Sequence, residues 1–263
     1  GKIHVSMSYL NPVLKINEFQ IDHTSHIRTV SMHLNIHSGP EISYENIIQR
    51  LEAYGNPEQK AWAETIRGYV QKRPQKIEDF LKLVNSDDHL LVANFKRAKA
   101  RAISACKEIE TKYSYAKIVT FSSRESIDVL LLSYNEGFIQ KLDYNTLEEF
   151  VEWSKDNGLP QVFNGDCPEH VQLAKDFFDF TIFEHNNNIA IGPEYSPIIF
   201  NKDNEMKDLK AQFIYVLEPS TEGFFISGYF ILKDESSTIE LGESSSKRTQ
   251  MVIEEISKNP QKV

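Results

Sequence analysis

Cysteine is nearly missing from this chain: two residues, Cys106 and Cys167, in 263. So distant a pair makes neither a disulfide framework nor a metal-binding spacing, and a reducing, cytoplasmic home is the expectation. Long apolar runs are missing too, and none approaches the roughly 20 residues of a membrane helix. The first thirty residues alternate and carry charge, which is not the pattern of a signal peptide. Gly1 stands where an initiator Met would, so native residues ahead of it are expected. Basic residues are outnumbered, 29 Lys and Arg against 38 Asp and Glu, for a formal charge of -9. That balance argues against chain-wide attraction to nucleic acid or a membrane. There is no Gly-x-Ser-x-Gly elbow, no His-Glu-x-x-His and no paired-cysteine motif, so the commonest hydrolase and zinc signatures give no lead. No repeat of fixed period and no low-complexity linker appears.

What is present is a globular composition. A hydrophobic content of 40% with 11% aromatics supports a sizeable core, in one large domain or two small ones. The clearest local signal is Arg28–His37. Val30, Met32, Leu34 and Ile36 alternate with Thr29, Ser31, His33, Asn35 and His37. Lys2–Leu10 does the same, opposing Ile3, Val5, Met7 and Tyr9 to His4, Ser6 and Ser8. Period-two alternation predicts strands with one buried face. The other face holds hydroxyls, an amide and imidazoles without Lys or Glu, and a solvated strand face ordinarily carries charge.

Along the chain, strands are predicted at Lys2–Leu10, Val13–Ile21 and Ile27–His37, with Asp22–His26 as a loop. Helices follow from Ser43 to Tyr54, from Pro57 to Lys72 and from Lys76 to Val84. A long helix is predicted from Ser86 to Tyr113, with Leu91, Phe95, Ala98, Ala102, Cys106 and Ile109 on one stripe. The second half returns to strands at Ala116–Phe121, Ile127–Ser133 and Phe138–Leu142. Asn145 with Glu148 reads as a capping box for a helix stopping at Gly158. Short strands are expected at Val162–Phe163, Phe180–Glu184, Ile189–Ile191, Ile198–Phe200, Gln212–Leu217 and Phe224–Leu232. A helix from Pro168 and a terminal one through Met251 and Ile256 complete the reading.

This order predicts an α+β fold: N-terminal antiparallel strands, a helical block, then a mixed, mostly antiparallel sheet with helices. The helical block ends near Ser114, so a split into 1–114 and 115–263 is expected, unless early and late strands share one sheet.

Five of the eight histidines, His4, His23, His26, His33 and His37, fall in the first 37 residues. Two four apart on a strand are about 13 Å apart, too far to share one metal, and no metal site is expected. His4-Val5-Ser6 has the form of one arm of a two-histidine phosphodiester site, but no matching second arm exists. The sharper signal is Lys96, Arg97, Lys99 and Arg101 on the long helix. From Asn94 to Lys112 there are six basic and two acidic residues, a net of +4, which leaves -13 for the rest. A positive stripe in an acidic chain attracts phosphate. Arg124, in the Ser122–Ser126 turn after an apolar strand, is a third anion-holding candidate.

The resulting expectation is an intracellular protein that binds a phosphate-bearing ligand, a nucleotide or a nucleic-acid backbone. His4, Ser6, Ser31, His33 and His37 would supply hydrogen bonds, and Lys96, Arg97, Lys99, Arg101 and Arg124 the charge. Two alternatives are a phosphodiester hydrolase using His4 or His33, and an interaction module whose acidic surface meets a protein partner. No cofactor is indicated, and no membrane partner is expected.

Overall fold

The alternation of Arg28–His33 is realised in a strand near one edge of a large sheet. The structure, a computed structural model, describes residues 19–23, 27–34, 41–71, 88–104, 106–123, 126–160, 162–163, 189–192, 194–217 and 225–241. Strands β1 (Gln20–His23), β2 (Arg28–His33) and β3 (Glu41–Ser43) come first. Helices α1 (Tyr44–Tyr54), α2 (Pro57–Val70), α3 (Asp88–Ile103) and α4 (Lys107–Lys112) follow. Strands β4 (Ser114–Ser122) and β5 (Ser126–Asn135) precede helices α5 (Glu136–Lys141) and α6 (Leu147–Asn157). The remaining strands are β6 (Val162–Phe163), β7 (Ile189–Ile191), β8 (Ile198–Phe200), β9 (Met206–Lys207), β10 (Lys210–Leu217) and β11 (Phe225–Lys233).

Eight of these strands form one antiparallel sheet in the order β1-β2-β5-β4-β11-β10-β7, with β3 also paired to β5. Strands β6, β8 and β9 form a second, small sheet. The fold is α+β, with helices laid on an antiparallel sheet. Strands from both sides of residue 114 share the large sheet, because β2 and β3 pair with β5.

Its two faces bury different things. On one, Val30, Met32, Leu132, Tyr134 and Phe230 meet Phe138, Ile139, Leu147 and Phe150 from α5 and α6. Aromatic rings dominate there, with Tyr134 and Phe150 centroids 5.1 Å apart and Phe213 and Phe230 4.9 Å apart. On the other face, Ala98 and Ala102 of α3 sit on Val119, Phe121, Leu131 and Phe225. Beside them, Cys106 and Ile109 at α4 join Tyr115, Ile214, Tyr229 and Ile231. The α1–α2 hairpin packs Ile48, Leu51, Ala63 and Ile66 against Ile127 at the end of β5.

Four local expectations are corrected. Phe138–Leu142 is helical: the Asn135 side chain accepts from the Phe138 N–H, capping α5, and Phe138, Ile139 and Leu142 are buried at helical spacing. The capping box sits one residue later, where Thr146 Oγ1 accepts from the Glu149 N–H at 3.1 Å and Glu149 reaches back to the Asn145 N–H at 2.6 Å. Asp22 and His23 belong to β1, drawn into extended form by pairing with Thr29 and Arg28. The long helix breaks after Ile103, and Cys106 precedes α4 in extended conformation (φ -148°, ψ 90°). A straight continuation would keep Cys106 and Ile109 on α3's stripe; the turn carries them to Tyr115 and Tyr229 instead. Gly158 ends α6 at φ 81°, a left-handed backbone value that favours glycine. Strands β3 and β9 had no counterpart in the sequence reading. The strand at 2–10, most of that at 13–21, the helices at 76–84, from 168 and through 251–256, and the strand at 180–184 lie outside the described residues.

Candidate functional site

The polar face of β2 begins a row that crosses the sheet. Ser31 pairs with Ser133 on β5, Ser133 with Lys117 on β4, and Lys117 with Tyr229 on β11. Directly paired residues share a face, so these four side chains lie on the side that carries α3 and α4. Ser31 and Ser133 are buried, and their hydroxyl oxygens are 2.9 Å apart. Ser31 therefore spends its hydroxyl inside the sheet rather than on a pocket wall. His33 is exposed and pairs with Leu131, which α3 covers.

Next in the row stands a cation. The Lys117 side chain is only 4% exposed, and its ammonium donates to Glu110 Oε1 at 2.5 Å and to the Ile103 carbonyl. It also lies 5.1 Å from the centroid of the Tyr229 ring, whose hydroxyl donates to the same Glu110 oxygen at 2.8 Å. Burial pulls the Lys117 ammonium below its usual pKa, against the opposing pull of Glu110. Burial likewise pushes Tyr229 well up, with Glu110 adding to the rise. The Cys106 thiol is also raised, chiefly by burial, which makes it a poor nucleophile.

The stripe on α3 is arranged as its helical spacing requires. Ala98 and Ala102 face the sheet, while Lys96, Arg97 and Arg101 are exposed. Lys99 sits on the flank, half-buried, and donates to the Leu34 carbonyl at the end of β2 at 3.3 Å. Burial lowers its pKa. The structure thus brings α3 and the Ser31–His33 strand to one side of the sheet, with Lys99 joining them. His4, Ser6, His37 and Arg124 lie outside the described residues.

Sequence reasoning missed Lys117, Glu110, Ser133 and Tyr229. Lys117 left one readable trace, a lysine inside the apolar run Ala116–Phe121.

A separate cleft of about 690 Å³ opens between α5, the β8–β9 turn and the ends of β4, β10 and β11. Its lysines are neutralised by its own acids: Lys207 bonds Asp143 at 2.9 Å, and Lys141 bonds Asp234. Asn201 and Lys207 hold the Asp143 carboxyl below its ordinary range. Asn201 also braces the turn, accepting from the Asp203 and Glu205 N–H groups. The α5 wall comes close to β4: a Cβ at Gly137 would stand 2.7 Å from Ser114 Oγ.

Among the described residues no three His, Cys, Asp or Glu side chains converge to hold a metal. None of the described helices is long and apolar enough to cross a membrane. The chain matches no protein-family model, no curated protein and no solved structure.

Proposed function

We propose that this chain binds a phosphate-bearing ligand along the outer face of α3. One observation carries the reading: Lys96, Arg97 and Arg101 stand exposed on a helix that Lys99 ties to the end of β2, beside His33, in a chain of net charge -9. Concentrating positive charge on one rod within an acidic protein focuses anions there. The cations lie on a convex helix surface, whereas small-molecule sites are concave, so an extended phosphodiester backbone suits them better than a single nucleotide. Arg101 in the last turn also complements the helix dipole, so it stabilises α3 as well as attracting ligand.

The test is fluorescence anisotropy with a labelled single-stranded oligonucleotide, with ATP as competitor. Three phosphate contacts to a single strand predict a roughly 20-fold fall in affinity from 50 to 200 mM salt, steep enough to separate from unspecific drift. Charge reversal of Lys96, Arg97 and Arg101 to Glu should abolish binding, and ATP should compete only weakly. Affinity that ignores both salt and the reversals would sink the reading.

A further inference from the structure

The last turn of α3 is closed locally by Ser104, whose hydroxyl donates to the Ala100 and Arg101 carbonyls, and beyond that it is held by the sheet. Two consecutive carbonyls there point at side chains from neighbouring strands: Ala102 accepts from Ser227 Oγ on β11, and Ile103 accepts from the Lys117 ammonium on β4. Helix C-terminal carbonyls lack intrahelical partners and carry partial negative charge, so a cation and a hydroxyl are suitable substitutes. Lys117 also bonds Glu110, which belongs to α4, and Tyr229 bonds the same carboxylate from β11. One ammonium therefore spans the break between the two helices, with Ile103 on one side and Glu110 on the other.

We infer that the Lys117–Glu110 pair, with Ser227, is a positioning latch that sets where α3 ends and how α4 leaves it, and so where the cations of α3 stand over the sheet. The placement of those cations matters to function only if the phosphate-binding reading holds; the latch itself does not depend on it. Buried ion pairs are commonly no more stabilising than apolar replacements of similar volume, so a pair kept at such a break is better explained by geometry than by stability. The groups facing Lys117 are Glu110 on α4, Tyr229 on β11, Cys106 between the helices and the Ile103 carbonyl. The sole charged partner among them is Glu110, so removing the pair together leaves no lone buried charge. Lys99 is a further tie, on the flank of α3 nearest the end of β2.

The experiment is hydrogen–deuterium exchange on the whole chain, read across α3 and α4. It compares the wild type, the double variant Lys117→Met/Glu110→Leu and, as a gentler probe, Ser227→Ala. The double variant should melt at or above the wild-type temperature, yet its amides at the end of α3 should exchange roughly tenfold faster, the loss expected for one charge-assisted hydrogen bond. Ser227→Ala should show a smaller rise at the same amides. Oligonucleotide affinity should fall in the double variant although every cation of α3 remains. Unchanged exchange at those amides in both variants would overturn the latch. Raised exchange with unchanged affinity would overturn its link to the cations. If the wild type fails to bind oligonucleotide at all, the phosphate reading falls while the exchange result still decides the latch.

Discussion

The two faces of the large sheet are buried by different means. Under α5 and α6 the contact is aromatic and apolar, and Tyr134 Oη and Ser154 Oγ are buried there with no hydrogen-bond partner among the described residues. Under α3 and α4 the contact is apolar as well, through Phe95, Ala98, Ala102, Cys106 and Ile109, but a largely buried ion pair joins it. Apolar burial is non-directional and scales with area, so the first face supplies stability and tolerates small shifts. Hydrogen bonds and charges are directional, so the second face selects one arrangement at little net gain. The exposed cations stand on the helix whose placement is selected in that way.

The contrast can be broken most forcefully on the aromatic face. Phe150→Ala should cost about 3–5 kcal/mol, because the ring contacts Phe19, Tyr134 and Tyr144 and its loss leaves a cavity. Urea unfolding monitored by Trp fluorescence measures it, and a loss under about 1 kcal/mol would mean the face repacks.

On the charged face the two halves of the pair should behave unequally. Glu110→Gln leaves the Lys117 ammonium buried beside a neutral amide and should cost about 1–3 kcal/mol, less than a fully buried pair because Glu110 is partly exposed. Lys117→Met, which leaves Glu110 able to reach water, should cost under about 1 kcal/mol. Equal losses in the same urea titration would show that the pair acts through mutual attraction alone.

A milder probe returns to the first face. Tyr134→Phe removes a hydroxyl that has no partner among the described residues and should be neutral or stabilise by up to about 1 kcal/mol. Clear destabilisation in thermal melting would mean that the hydroxyl has a partner in solution.

A pH-dependent effect lies at the margin of the sheet, where Lys233 on β11 bonds Glu194 at 2.6 Å. That bond and one from Ser236 hold the Glu194 carboxyl down at about 2. A depressed carboxyl stabilises the fold above the unfolded-state pKa, roughly 4.3, and the contribution is lost as pH falls through about 2. Wild type and Glu194→Gln should therefore differ in melting temperature at pH 6 and converge by pH 2. A gap that persists at pH 2 would refute the assignment.

Much of the fold was legible because its signals are local. Alternation marked β2, and Ala116–Phe121 and Ile127–Ser133 fell inside β4 and β5. Asn56-Pro57 and Gly158 marked helix ends as their backbone preferences require. Phe138–Leu142 misled because a short apolar run fits either period, and what decides it is the Asn135 cap ahead of the run. The break after Ile103 was invisible because no Gly or Pro marks it, and the side chain that meets the Ile103 carbonyl there, Lys117, lies 14 residues further on. Of the candidate site, the α3 stripe and the strand holding Ser31 and His33 were legible, as was a polar second face. That Ser31 would be spent on Ser133 was not.

Sequence alone determined which residues of each segment face together, because periods of 2 and 3.6 are properties of a short stretch of backbone. Tertiary structure decided which segments meet. Ser31 and Ser133 are 102 residues apart, and Lys117 gains its role only once β4 lies between β5 and β11. A strand's own pattern says which face a side chain takes, but its neighbours, chosen by packing across the whole sheet, determine whether a buried lysine finds the carboxylate it needs.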